Sequence, residues 1–421
     1  MITKYPLHQV KPHLHPFWLY SISFAITFEL AIQFLIHNIK YFIMKLSVIL
    51  LTIMVSLFSL FPTKSAESTA TSSSNKIQVA LLLDTSNSMD GLIEQAKSRL
   101  WNIINTLTTL KYDGKEPQIE IALYEYGNDG LSSANNFIRQ VAPLTTDLDL
   151  ISEKLFALRT NGGSEYCGAV IQNAVKTLKW NDGNADMKLI YIAGNEPFNQ
   201  GPINYKEAIS HAQTNKIYVN TILCGSNYHD ELQEWKDGAT RGQGKFFVIN
   251  SDKVLSYIDT PYDRDIDKLN QQLNDTYIGY GKKGKEKKIM QTTQDYNAES
   301  KSMANKVERV VSKSKGVYKN AEWDIVDKYK DNPSAIQTME SEELPEELKG
   351  KSPKQTAEFI QQKSKERDEI NQKIKDLSLK RQQYIDAENK KSGNDKDDLG
   401  KAIETSIIEL GLKIGYKKSG N

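Results

Sequence analysis

The stretch Lys76–Ser88, KIQVALLLDTSNS, decides the fold. Val79, Ala80, Leu81, Leu82 and Leu83 form a near-continuous apolar run, the pattern of a strand buried on both faces of a parallel sheet. The run stops at a small polar cluster and passes into the helix-like MDGLIEQAKSRLWNIINTL. Asp84, Ser86 and Ser88 place a carboxylate and two hydroxyls within five residues of one turn. A hard cation such as Mg²⁺ prefers oxygen ligands of that kind. The plainer reading of the same residues is a strand-to-helix turn with Asp or Ser as N-cap.

Downstream, strands and helices alternate. Gln118–Tyr126 (QIEIALYEY) is rich in branched and aromatic residues and ends in the turn Gly127-Asn128-Asp129-Gly130. Asn136–Val141 is a short strand candidate, and Thr145-Thr146-Asp147 opens a helix carrying Leu148, Ile151, Leu155 and Leu158 on one face. After Arg159–Gly163 come Ser164 and a helix over Cys167–Leu178. Strands over Met187–Ala193, Ile217–Cys224 and Lys245–Ile249 are interleaved with helices over Tyr205–Thr214 and Leu232–Ala239. This alternation implies an α/β fold with a doubly wound, mostly parallel sheet, whose ligands bind at the carboxyl ends of the strands. Asp84 sits at such an end.

An apolar strand, then Asp-x-Ser-x-Ser, then an amphipathic helix resembles the von Willebrand factor type A (VWA) family, in which that motif opens a metal-ion-dependent adhesion site. The family's second segment, Gly-Gly-Thr before a helix, has its counterpart in Gly162-Gly163-Ser164, and TTDLDLISEKLFALRTNGGS looks like the helix leading into it. Serine for threonine keeps the hydroxyl. The resemblance covers about residues 77–255 and implies a metal held by Asp84, Ser86, Ser88 and Ser164, with a partner's acidic residue filling the open position. The ion it implies is Mg²⁺ or another divalent cation such as Ca²⁺ or Mn²⁺. The third segment departs from the family's Thr-Asp-Gly, because Ile192-Ala193-Gly194-Asn195-Glu196 puts Gly194 at the aspartate's place. Glu196, directly or through water, or Asn195 is the expected substitute, and a solvated loop Glu196 is the plainer alternative.

The first sixty residues differ in kind. Met44–Phe61, MKLSVILLTIMVSLFSLF, has a short basic start and an apolar run of signal-peptide length, short for a helix spanning roughly 30 Å of hydrocarbon. Pro62 breaks it, and a polar Ser/Thr linker follows. Met44 is the expected true start, with a membrane hairpin over both apolar runs as the rival. The expected product is exported, periplasmic or secreted, and touches a membrane only through this segment. The organisation read from the chain is a hydrophobic N-terminus over 1–66, a linker over 67–76, a VWA domain over 77–260, a helical extension over 261–339 and a charged helical tail over 340–421.

Cys167 and Cys224 are the only cysteines. Both fall on the carboxyl-end rim, where they form either a disulfide beside the site or two buried thiols. Beyond Pro261, Tyr262–Tyr280 and Ala298–Ser314 read as helices, separated by a lysine-rich turn GKKGKEKK. Lys354–Lys391 carries only two to three heptad-like repeats and reads as a solvated stalk, or as an arm that contacts a second protein or dimerises. The final helix, Leu399–Ile414, has one apolar face in need of a surface.

Fifty-four lysines and arginines balance 53 aspartates and glutamates, so no bulk attraction to nucleic acid is expected. No phosphate loop follows a strand, no G-x-S-x-G elbow occurs, and Asp84-Thr85-Ser86 lacks the second aspartate of an aspartyl-phosphate phosphatase. The expectation is a non-catalytic, metal-dependent protein-binding module. The alternatives are a metal-free VWA scaffold for protein assembly and a phosphatase-like hydrolase using Asp84.

Overall fold

The structure, a computed structural model, describes residues 40, 75–183, 185–225, 229–250, 257–336, 338–392 and 399–418. The expected export signal and residues 67–74 of the expected linker lie outside these residues, while Lys76, the last linker position, begins the first strand. In chain order the first elements are β1 (Lys76–Asp84), α1 (Asp90–Leu107), β2 (Leu110–Lys111), β3 (Gln118–Tyr126), β4 (Ile138–Thr145), α2 (Leu148–Ala157) and α3 (Cys167–Thr177). There follow β5 (Met187–Gly194), α4 (Tyr205–Thr214), β6 (Ile217–Cys224), α5 (His229–Arg241) and β7 (Gln243–Ile249).

Six strands form one sheet in the order β4-β3-β1-β5-β6-β7, and only the edge strand β4 runs antiparallel to its neighbour. The apolar run of β1 lies near the middle of the sheet because it can be covered twice. Ile77, Val79, Leu81 and Leu83 face one apolar cluster, while Ala80 and Leu82 face the other. The chain goes from β1 outward to β3 and β4, then returns to the opposite side of β1 as β5. That reversal opens a crevice at the carboxyl ends of β1, β3 and β5. Register places Asp84 beside Tyr126 on β3 and Leu83 beside Ala193 on β5.

The rest of the chain is α6 (Asp263–Asp275), α7 (Gly281–Lys301), α8 (Met303–Lys313), α9 (Ile325–Asp331), α10 (Pro353–Ser392), α11 (Leu399–Ile414) and β8 (Lys417–Lys418). This is a helical region, but not a solvated stalk. Val307 and Val310 of α8 and Ile403, Ile407 and Leu410 of α11 share one core with Leu100, Trp101 and Ile104 of α1. The apolar face of α11 therefore finds its surface on the sheet layer itself. Ile370 and Ile374 of α10 are buried too, and β8 pairs with β2 while the Tyr416 hydroxyl donates to the Ala185 carbonyl at 2.8 Å.

Two local expectations are corrected. The lysine-rich stretch is not a turn but the start of α7, where Lys287 pairs with Asp147 and Lys288 donates to the Asn274 carbonyl at 2.7 Å. The expected helix over Ala298–Ser314 is split at Ser302, whose extended backbone ends α7 and whose hydroxyl caps α8 by accepting from Asn305 N at 2.9 Å.

Buried charged side chains join the C-terminal helices to one another and, through Arg309 and Asp149, to α2. Arg309 is fully buried, donating to Asp149 at 2.6 Å, to Asp295 at 2.5 Å and to the Gln291 carbonyl at 2.8 Å, with its guanidinium 4.6 Å from the Trp101 ring. Arg367 of α10 likewise reaches Asp324 at 2.8 Å and Asp327 at 2.7 Å, and Arg381 reaches Asp263 at 2.8 Å. No helix among the described residues is long and apolar enough to cross a membrane.

Candidate metal centre

Asp84 ends β1 with its carboxylate fully buried. Its Oδ1 accepts from the Ser86 backbone N–H at 2.7 Å, which folds the chain back so that the Ser86 and Ser88 hydroxyls approach to 3.1 Å. A single 3₁₀ turn, Asn87–Met89, then delivers the chain into α1. Thr85 extends the β1–β3 ladder by donating to the Tyr126 carbonyl at 2.9 Å, and its own carbonyl accepts from Asn161 N at 3.0 Å. That last bond draws in the loop carrying Gly162, Gly163 and Ser164, which Thr160 also ties to α1 through Asp90.

The loop docks because two glycines meet. A Cβ on Gly163 would lie 2.1 Å from the Gly127 carbonyl oxygen, so any side chain there would push the loop away. Gly127 itself has φ +74°, and a Cβ on it would fall 2.8 Å from Asp84 Oδ1 and 2.8 Å from Glu165 Cγ. Ser164 is half-buried between these two contacts. Across the crevice, Asn195 Nδ2 donates to Ser88 Oγ at 3.1 Å, and the Glu196 carbonyl accepts from Trp235 Nε1 at 2.9 Å.

Gly194 has a concrete reason to be glycine. A Cβ there would lie 2.5 Å from the Tyr126 hydroxyl and 3.1 Å from Asp84 Oδ2. Tyr126 is fully buried, stands beside Asp84 in register and donates to the Ala193 carbonyl at 3.0 Å. A tyrosine from β3 thus occupies the space that a side chain at 194 would need.

Electrostatically the crevice is acidic. Burial pushes the Asp84 carboxyl up to about 8, the Ser86 N–H pulls it back, and the Glu165 and Glu196 charges raise it further. Burial, then the Glu196 charge, pushes Glu165 up to about 7, while the nearby Ser86 hydroxyl pulls the other way. Asp84 Oδ2 is buried and has no hydrogen-bond partner among the described residues. A buried carboxylate oxygen left this way costs free energy that a proton or a cation removes. The donors at hand are carboxylate and hydroxyl oxygens, which suit a hard divalent cation. Among the described residues no three His, Cys, Asp or Glu side chains form a metal-holding group, so an ion here depends on the serine hydroxyls as much as on Asp84.

The structure therefore brings Asp84, Ser86, Ser88 and Asn195 together, places the Ser164 loop against them, and sets the Glu196 charge within influence of Asp84. It does not join Cys167 to Cys224. Both are buried free thiols; Cys167 packs in the cluster containing α3 and α4, and Cys224 in the cluster on the other face of the sheet. Sequence reasoning missed Glu165 and Tyr126. Tyr126 reads as one more strand aromatic, and Glu165 as an ordinary acidic residue before a helix.

Among solved structures, proximal thread matrix protein 1 from the mussel byssus is similar at 14% identity over 43% of this chain and 43% of its own, with a TM-score of 0.33. The same protein with a zinc-occupied MIDAS motif gives 13% identity, the same coverage and a TM-score of 0.34. The SpRpn10 VWA domain gives 19% identity over 41% of this chain and 86% of that one, with a TM-score of 0.31. The matched region thus spans less than half of the mussel protein. No curated protein matches. The family model for the von Willebrand factor type A domain matches residues 78–261, which identifies that segment as a VWA domain.

Proposed function

We propose that this VWA domain is a non-catalytic protein-binding module that takes up a divalent cation, Mg²⁺ in the first instance, and through it binds an acidic residue of a protein partner. Asp84 carries the reading: a fully buried carboxylate with one unpartnered oxygen, at the carboxyl end of β1, beside two hydroxyls. Asp84, Ser86, Ser88 and Ser164 would hold the ion, with Asn195 and Glu196 on the facing rim. The bound cation supplies a positive point that attracts a carboxylate. Met44–Phe61 supports an exported protein, and a mature N-terminus near Ser65–Glu67 by mass spectrometry tests that part.

The test of the site is calorimetry and thermal melting with Mg²⁺. A ligand at one hundred times its Kd stabilises by about 2.7 kcal/mol. Wild type is expected to show that shift and Asp84→Ala to lose it. An absent wild-type shift, or one retained in Asp84→Ala, refutes the metal reading and leaves the metal-free scaffold. A phosphatase assay on generic substrates, with Asp84→Asn as control, tests the hydrolase alternative.

A further inference from the structure

The acidic group missing from β5 has a counterpart elsewhere in the crevice. We propose that Glu165 is the second carboxylate of this cation site, supplied from the loop before α3 in place of a side chain that position 194 has no room to carry. The inference rests on the metal reading above and adds to it a ligand and a consequence for partner choice.

Three observations converge. Glu165 Cγ and Asp84 Oδ1 both lie 2.8 Å from the point where Gly127 would carry a Cβ, so they are within twice that distance of one another. The absence of a side chain on Gly127 is what lets them come so close. Glu165 is only 6% exposed, and its backbone N–H is fixed by Gln200 Oε1 at 2.8 Å. The third observation is independent of Glu165: Asp84 Oδ2, fully buried and unpartnered among the described residues, lies against Gly194, on the side closed by the Tyr126 hydroxyl. Among the described residues the Asp84 carboxylate has no ion-pair partner, and position 194 is sterically barred from offering a second carboxylate to hold a cation there.

The chemistry follows from counting charge. Asp84 alone leaves a divalent ion with one net positive charge, whereas Asp84 with Glu165 neutralises it. A partner's carboxylate must then displace Glu165 or accept a neutral centre, so Glu165 acts as an internal competitor. Cation affinity and carboxylate affinity are expected to move in opposite directions when Glu165 is neutralised.

The experiment uses Mn²⁺ as probe, followed by calorimetry and by electron paramagnetic resonance, on the full chain and on Glu165→Gln, Glu196→Gln and Asp84→Asn. Asp84→Asn is expected to abolish uptake, and Glu165→Gln to weaken it at least tenfold while raising the affinity of the Mn²⁺-loaded protein for acetate. Glu196→Gln is expected to change cation affinity less than threefold. Melting without metal checks that each variant folds, and Glu165→Asp, with an expected intermediate loss, replaces Glu165→Gln if that variant does not. Uptake lost in Asp84→Asn but unchanged in Glu165→Gln overturns the Glu165 assignment and keeps the metal site. A larger loss in Glu196→Gln than in Glu165→Gln overturns it in favour of Glu196. Wild type that takes up no Mn²⁺ overturns both readings.

Discussion

Replacing Arg309 by methionine keeps most of the side-chain volume and removes one charge from the buried network between α2, α7 and α8. Asp295 would remain well served, by Lys313 at 2.9 Å, Asn270 at 3.1 Å and Asn274 at 2.8 Å. Asp149 would not. It is 4% exposed, and with Arg309 gone it keeps the Tyr318 hydroxyl at 2.6 Å but no cation. Stranding one buried carboxylate costs about 3–5 kcal/mol, a large share of the roughly 5–15 kcal/mol that holds a domain folded. Urea unfolding followed by circular dichroism is expected to show that loss in Arg309→Met. Asp149→Asn in the same background is expected to recover more than half of it, because the stranded charge is then gone. A single-variant loss under about 1 kcal/mol, or no recovery in the pair, would refute the argument that charge pairing rather than packing holds this junction.

Acid behaviour gives a second check on the network. Burial alone would push Asp295 up, but the Lys313 and Arg309 charges outweigh it and hold the carboxyl below its usual range. A carboxyl depressed on folding contributes stability above its unfolded pKa and loses it as pH falls through the folded value. Asp295→Asn should therefore lower stability at pH 7 and flatten the pH dependence below about pH 4. Gly194→Ala should cost about 1–3 kcal/mol through its contact with the Tyr126 hydroxyl, and Tyr126→Phe should recover part of that in the double variant. Burial raises both thiols, so Cys167 and Cys224 should resist a thiol reagent in the native protein and react only once it unfolds. Ending the chain at residue 261 removes α8 and α11 from Trp101 and its neighbours, and should give an aggregating product with weakly protected amides rather than a folded domain.

The sheet was legible because its signal is local. The β1 run, the Asp-x-Ser-x-Ser turn and the glycine pair before Ser164 can each be read within a few residues. What escaped the sequence reading acts through space. Gly194 looks like a defect in a metal motif until Tyr126, 68 positions earlier in the chain, is seen filling the same volume. Glu165 gains its meaning from Gly127, which from sequence is merely part of a turn. The C-terminal helices were misjudged for a related reason, since charge was taken as a sign of solvent. Arg309, Arg367, Arg381 and Lys313 are all buried, and each is satisfied by carboxylates distant in sequence. Nothing in a helical pattern distinguishes such a residue from a solvated one until its partner is known.

The pairing of β8 with β2, and the reach of the Tyr416 hydroxyl to the Ala185 carbonyl, bring the last described residues back to the amino-end edge of the sheet, where Lys76 begins β1. Asp84 lies at the other end of that strand, about 26 Å away at about 3.3 Å per residue. An affinity tag or sensor surface linked at residue 75 or at residue 418 would thus hold the protein by the pole opposite the crevice. Both attachment points leave the acidic rim facing the analyte, so binding measured from the two orientations should agree.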